Sequence, residues 1–192
     1  MSSKILVAGN FKYGIASEIF KRWPEAHFAS RSNGFDLNTE KGQDDFARLS
    51  VDFDTVIFCS TLRRFNQTLL VENTWRYWVD QAKKGRFVCL GSTADRGARP
   101  SNWMYPIEKK GLRSLCQNLN LCDLSGSGIR VSYLSIGFVK TPYTEEKHPG
   151  KNKLSTAYVV DLIEWILAQP EDLNVHSISV DPRQPPAENI NQ

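Results

Sequence analysis

Short apolar runs alternate with longer amphipathic stretches along this chain. Lys4 to Ala8, Thr55 to Cys59, Phe87 to Leu90, Ile129 to Ile136 and Val175 to Val180 have the length and character of buried strands, and Arg130 is the only charge in the fourth of these. Ala26 to Ser30 reads as a further strand, second in chain order. Between the strands, apolar residues recur at helical spacing. Ile15, Ile19, Phe20 and Trp23 share a face before Pro24, and Phe46 and Leu49 face inwards from a polar helix over Thr39 to Leu49. Leu70, Val71, Trp75, Trp78, Val79 and Ala82 mark a long helix over Asn66 to Lys84. Leu112, Leu115, Cys116 and Leu119 mark another after Tyr105. Ser155 caps a last helix carrying Val159, Leu162, Ile163, Ile166 and Leu167, which stops before Pro170. This alternation predicts one α/β domain over residues 1–181, a mostly parallel sheet flanked by helices, with 182–192 a loose Pro-rich tail.

Composition narrows the class. At 192 residues and 41% hydrophobic content the chain suits one domain with a real core. No apolar run reaches the roughly 18 to 20 residues that span a bilayer, so no membrane partner is expected. Lys4 followed by Ile5 to Ala8 is too short for a secretory segment, which makes a cytoplasmic address the expectation. Cys59, Cys89, Cys116 and Cys122 fall mostly in apolar runs without C-x-x-C spacing and read as reduced core residues. His27, His148 and His176 are scattered, so no metal site is expected. A net charge of +3, evenly mixed, gives no ground for a nucleic-acid partner.

The candidate chemistry lies between Phe87 and Leu121. Tyr105 and Lys109 are one helical turn apart and share a face, and Pro106 is tolerated in a helix's first turn. A cation beside a phenol draws its pKa down from about 10, which suits the tyrosine to acid or base work. Tyr143 and Lys147 repeat the spacing, but Pro149 and Gly150 end any helix there at once, and Arg130 stands where the first copy has Ser92. Near the N-terminus, Gly9 and Gly14 flank a strand-to-helix turn whose backbone can approach a phosphate.

A serine at the end of a buried strand, then twelve residues, then Tyr-x-x-x-Lys resembles the short-chain dehydrogenase/reductase family over Lys4 to Val180. That resemblance implies a Rossmann-like, doubly wound, mostly parallel sheet, a nicotinamide cofactor and a small-molecule carbonyl or alcohol substrate. It implies Ser92, Tyr105 and Lys109 as catalytic, with Tyr105 and Lys109 also touching the cofactor and Lys109 holding its ribose hydroxyls. Asn66 would be the family's fourth catalytic residue, with Asn73 as the alternative. The glycine turn carries Gly9, Gly14 and Ile15, but one residue is inserted and Ala16 replaces the family's third glycine.

The same resemblance implies cofactor contacts from Arg31 and Ser32, where an arginine favours NADP(H) over NAD(H). Asp36 and Leu37 would border the adenine, and the helix usual after the second strand is missing. Ser60 and Thr61 replace the family's Asn-Asn-Ala-Gly, while Gly137 and Thr141 match its nicotinamide segment, with Ile136 in place of proline. Pro142 to Leu154 would form a short mobile lid, and Ala94 to Trp103 would line the pocket with it. Arg96, Arg99, Lys147, Lys151 and Lys153 could favour an acidic substrate.

The function implied is an NADP(H)-dependent oxidoreductase interconverting a carbonyl and an alcohol by hydride transfer. A catalytically weak NAD(P)-binding sensor or assembly protein is the alternative, motivated by the departures at the glycine turn and after Cys59. A nucleotide-sugar epimerase would need a larger C-terminal substrate domain than this chain carries. Trp75 and Trp78 on one side of their helix and Tyr77 on another predict an aromatic surface covered by a symmetry mate, in a homodimer or homotetramer.

Overall fold

The computed structural model describes residues 4–97, 104–124 and 126–184. Arg99, Trp103 and the tail beyond Gln184 lie outside these. Six strands form one sheet: β1 (Ile5–Ala8), β2 (His27–Ala29), β3 (Thr55–Phe58), β4 (Gly85–Leu90), β5 (Ile129–Ile136) and β6 (Ser177–Val180). Every pairing is parallel, in the order β2-β1-β3-β4-β5-β6. Among the described residues six α-helices connect or flank them: α1 (Gly14–Arg22), α2 (Glu40–Ser50), α3 (Asn66–Asp80), α4 (Met104–Leu124), α5 (Pro142–Lys147) and α6 (Thr156–Leu167). This is the parallel sheet flanked by helices that the alternating pattern predicts, doubly wound as the family resemblance implies.

Strand alternation sorts the core into two layers. Leu6, Ala8, Val56, Phe58, Phe87, Cys89, Val131 and Tyr133 face α2, α3 and α4, whereas Val7, Ile57, Val88, Leu134 and Ile136 face α1 and α6. Each Val, Leu, Ile or Phe among them contributes about 1.5–3 kcal/mol when fully buried, which is why the central strands tolerate almost no charge. The exception on β4 is Arg86, whose guanidinium donates to the carbonyls of Ile166 (2.7 Å) and Leu167 (3.1 Å) and so closes the C-terminal end of α6.

Between β2 and α2 there is only a 3₁₀ turn, Arg31–Asn33, and a loop, so β2 is left as the sheet edge. The chain leaves α3 at Gln81, earlier than periodicity indicates, with Ala82 in the left-handed region at φ 49°. The expected aromatic surface on this helix is not there. Trp78 is 0% exposed; its indole N–H donates to the Ser50 hydroxyl (2.7 Å) and its ring stands edge-on to Phe87. Trp75 and Tyr77 are half-buried, Trp75 against the same core. Periodicity gives the direction of Trp78 but not what meets it, and here α2 and β4 of the same chain do.

Candidate functional site

The order reversal between β1 and β3 opens a crevice at the carboxyl ends of the strands, where open parallel sheets bind ligands. A cleft of about 1000 Å³ lies there, and the residues ending or following the four central strands (Gly9, Cys59, Leu90, Ile136) all line it. A smaller pocket of about 280 Å³ adjoins it beside β2 and shares Asn10 and Ser60 with it.

The expected residues divide between the two spaces. Gly9, Gly14, Ile15, Ser60, Thr61, Ser92, Tyr105, Gly137 and Thr141 line the cleft. Arg31, Ser32, Asp36 and Leu37 line the smaller pocket. Lys109 and Asn66 line neither among the described residues. Arg96 is engaged by Asp181 (2.8 Å), Lys147 by Glu146 (2.9 Å) and Lys153 by Glu145 (3.4 Å), and none of the described loop cations, these three and Lys151, lines the cleft. The segment foreseen as a loop over the pocket contains α5, capped reciprocally by Thr141 and Thr144, and Tyr143 and Thr144 of that helix line the cleft.

Tyr105 and Lys109 do share a face of α4. The Lys109 ammonium is 5.6 Å from the centre of the Tyr105 ring, and a second cation, the Arg63 guanidinium, is 4.9 Å from it. Lys109 is 4% exposed and lies behind the tyrosine, donating to the Gln67 side-chain oxygen at 2.6 Å. The Leu90 carbonyl is a further acceptor at 3.5 Å, and Gln67 itself donates to that carbonyl at 2.9 Å. Burial is the main cause that lowers the Lys109 pKa to about 8; the Glu108 carboxylate opposes the fall and Arg63 adds to it.

The amide beside Lys109 is therefore Gln67 rather than Asn66. Gln43 of α2 donates towards the Asn66 side chain (3.5 Å) and accepts from Asn73 (3.1 Å), so both asparagines considered for the fourth catalytic position turn away from the cleft. At the start of α3 the next residue along points about 100° round the helix, and that places Gln67 under the sheet end.

Ser92 is held from below. Its N–H donates to the Tyr133 hydroxyl (3.4 Å), and its own hydroxyl accepts from the Ala94 N–H (3.2 Å) as the cap of the 3₁₀ turn Thr93–Arg96. The Tyr133 hydroxyl in turn donates to the buried Asp95 carboxylate at 2.9 Å. Gly91 makes room for this ring: a Cβ there would sit 2.1 Å from it. Burial and the Asp95 charge push the Tyr133 pKa well above the ordinary phenol value, so its hydroxyl stays a donor. Sequence reading missed Tyr133, Asp95 and Gln67. The signal for the first was a tyrosine between serines in an otherwise apolar strand.

No family model matches the sequence. Among curated proteins, an uncharacterized oxidoreductase of Staphylococcus epidermidis is 27% identical over 114 residues, 59% of this chain and 49% of that protein. Sulfoacetaldehyde reductase 2 of Chromohalobacter salexigens is 29% identical over 54% of this chain and 45% of its own. The chain spans about half the length of these relatives. Among solved structures, the closed form of serine dehydrogenase complexed with NADP+ superimposes with a TM-score of 0.76 at 14% identity, over 98% of this chain and 99% of that one. A short chain dehydrogenase/reductase family protein gives 0.74 at 17% identity over 93% and 95%. 4-Hydroxyisoleucine dehydrogenase complexed with NADH gives 0.72 at 16% over 93% and 97%.

The residues present fit an elongated dinucleotide. The N-cap of α1, Tyr13, gives no side-chain bond to the first turn, so the amide donors there are left for an anion, and Tyr13, Gly14 and Ile15 bring that turn to the cleft wall. Gly14 has φ 56°, which lets the turn bend into the helix without strain. Gly9 packs closely, since a Cβ there would press on Ala16 at 3.2 Å and touch Cys59 at 3.4 Å.

Proposed function

We propose that this chain, which has the short-chain dehydrogenase/reductase fold in a compact and divergent form, is an NADP(H)-dependent oxidoreductase interconverting a carbonyl and an alcohol. The observation that supports this most is the Tyr105 phenol on the cleft wall with the Lys109 ammonium 5.6 Å from its ring and Ser92 on the same wall. The names of the sequence relatives, an oxidoreductase and a sulfoacetaldehyde reductase, agree with it.

In this reading the α1 turn and Gly9 hold the pyrophosphate, and Ser60, Thr61, Gly137 and Thr141 border the nicotinamide half. Arg31 and Ser32 meet the adenosine ribose, Asp36 and Leu37 the adenine. The nicotinamide, when bound, supplies or accepts the hydride. Tyr105 passes a proton to the substrate oxygen in reduction and takes it back in oxidation. Ser92 donates a hydrogen bond to that oxygen as charge develops on it, from a position fixed by Tyr133. The Lys109 charge eases deprotonation of Tyr105 from behind the ring. Its contact with the cofactor ribose, expected from the resemblance, would require the buried ammonium to turn towards the cleft, which it does not line. Arg31 favours NADP(H), since a 2′-phosphate beside it would find a positive partner.

Residues 1–181 act as one cofactor-binding unit in the cytoplasm, and a homodimer or homotetramer would pair through α3 and α4, each of which leaves an apolar side chain, Leu69 and Ile107, exposed. Mixing the protein with NADPH and a panel of carbonyl compounds, and following loss of NADPH absorbance, tests the reading. Oxidation that disappears in Tyr105→Phe supports it. The engagement of Lys109 by Gln67 favours a second reading, a cofactor-binding protein of little catalytic power. NADPH binding with no oxidation across the panel would select that one.

A further inference from the structure

Arg63 has no part in the reading above, yet it is the one lysine or arginine that lines the cleft among the described residues. Its guanidinium is 4.9 Å from the centre of the Tyr105 ring, so it stands over the ring that carries the proposed acid–base hydroxyl. Its carboxylate neighbour Glu108 is 3.9 Å away, beyond hydrogen-bond distance, and is already committed: the other Glu108 oxygen accepts the Arg64 N–H at 2.7 Å. No other hydrogen bond reaches the Arg63 guanidinium among the described residues. The other formal charge on the cleft wall among the described residues, Asp181, is answered by Arg96 at 2.8 Å and Thr93 at 2.7 Å.

The backbone that carries Arg63 is fixed. Arg64 and Phe65 both have left-handed φ values, 56° and 62°, a conformation costly for such residues unless the surroundings hold it. The buried Glu108 carboxylate supplies that hold through the Arg64 amide, and the Phe65 ring seats against Gly111, where a Cβ would come within 3.1 Å. A strained turn is thus kept in place, and a guanidinium half exposed to the cleft is kept beside the phenol.

We propose that Arg63 recognises an anionic group of the substrate, and that the carbonyl compound reduced or formed at Tyr105 is a short one bearing a carboxylate or sulfonate. The planar fork of arginine matches such groups with two parallel donors, and the 4.9 Å between the guanidinium and the Tyr105 ring suits a short chain between anion and carbonyl. The inference rests on the oxidoreductase reading for its chemistry and on Arg63 alone for its specificity.

The test compares succinic semialdehyde with butanal, as anionic and neutral aldehydes of similar length, and adds fluorescence titration of the protein–NADP+ complex with succinate, which cannot react. Wild-type protein is expected to prefer the anionic aldehyde in kcat/KM and to bind succinate. Arg63→Gln should raise KM for succinic semialdehyde about 10- to 100-fold, weaken succinate to the same degree, leave NADPH affinity within about twofold, and change butanal far less than the anionic aldehyde, since butanal shares only the step at Tyr105. Arg63→Lys should recover part of the loss. An unchanged preference in Arg63→Gln, absence of succinate binding to the wild type, or an equal loss of NADPH affinity would overturn the proposal, the last by assigning Arg63 to a cofactor phosphate. Succinate binding that depends on Arg63 without turnover of any aldehyde would instead overturn the reductase reading and leave the anion site standing.

Discussion

The two ends of the crevice are built on opposite principles. At the Tyr105 end the supporting groups are buried: Lys109 on Gln67, Tyr133 on Asp95, and Glu108 under the Arg63 turn. At the β2 end they are at the surface, where Arg31, with its side chain 74% exposed, meets Asp36 at 3.1 Å and the serines 30 and 32 share a hydrogen bond at 2.9 Å. Buried polar groups hold geometry because leaving one unpartnered is costly, whereas an exposed ion pair is worth about 0–1 kcal/mol and yields readily to a ligand. The first arrangement suits atoms that must be placed for a reaction, and the second suits a binding contact that need only attract.

The contrast breaks most sharply at Tyr105. Replacement by Phe removes the proton donor and leaves the ring that Arg63 and Lys109 flank, so turnover should fall about 10³-fold while NADPH affinity changes less than about twofold. Stopped assays with NADPH at saturation, paired with fluorescence titration of the cofactor, measure both. Turnover retained in this variant would remove Tyr105 from the chemistry.

Lys109→Met separates activity from stability. The loss of the charge behind Tyr105 should lower turnover about 10²-fold. A lysine held at about 8 instead of 10.5 carries a burial penalty of about 3 kcal/mol when charged, and its removal is offset by the 1–3 kcal/mol of leaving the Gln67 oxygen unpartnered. Net stability at pH 7 should therefore change little or rise slightly. Because the folded state releases this proton near pH 8 and the unfolded state near 10.5, wild-type protein should gain stability relative to the variant as pH rises through that interval. Urea midpoints at pH 7 and pH 10 check the sign, and a gap that stays constant would show that Lys109 is not perturbed.

Tyr133→Phe tests whether the buried support matters to Ser92. The buried Asp95 carboxylate loses its 2.9 Å donor and keeps Ser135 at 3.4 Å and Arg113 at 3.7 Å, so stability should drop by about 2–3 kcal/mol. With the Ser92 amide released, kcat should fall about tenfold with KM nearly unchanged. A variant that is destabilised but fully active would make Tyr133 part of the core alone.

How far the sequence disclosed these two ends follows from what each is made of. The strands were legible because burial on both faces forbids charge, and Tyr105 and Lys109 because helical geometry fixes what four residues' separation means. The residues beneath them were not. Gln67 and Asn66 are adjacent amides at a helix start, and only the angle at which α3 meets the sheet decides which one reaches Lys109. Tyr133 and Asp95 meet across 38 residues, and Arg63 reaches Tyr105 across 42, through a left-handed turn that no periodicity announces. Trp78 was misread for a related reason: its direction was right, but its cover comes from Ser50 and Phe87, remote in sequence.

The smallest effect is expected at the surface end. Asp36 is held below the ordinary carboxylate range, first by the Arg31 side chain and then by the Asn38 N–H, so it stays charged and competes with any phosphate for Arg31. If Arg31 reads a 2′-phosphate, Arg31→Ala should weaken NADPH about 5- to 10-fold and leave NADH unchanged, and the difference should shrink at high salt, since the site is open to counterions. Asp36→Asn should act in the opposite direction, strengthening NADPH a few-fold by freeing the guanidinium. Parallel titrations of both cofactors at low and high ionic strength decide it. Equal weakening of NADPH and NADH in Arg31→Ala would mean that the pair with Asp36 shapes the loop between β2 and α2 and that the residue does not discriminate between the cofactors.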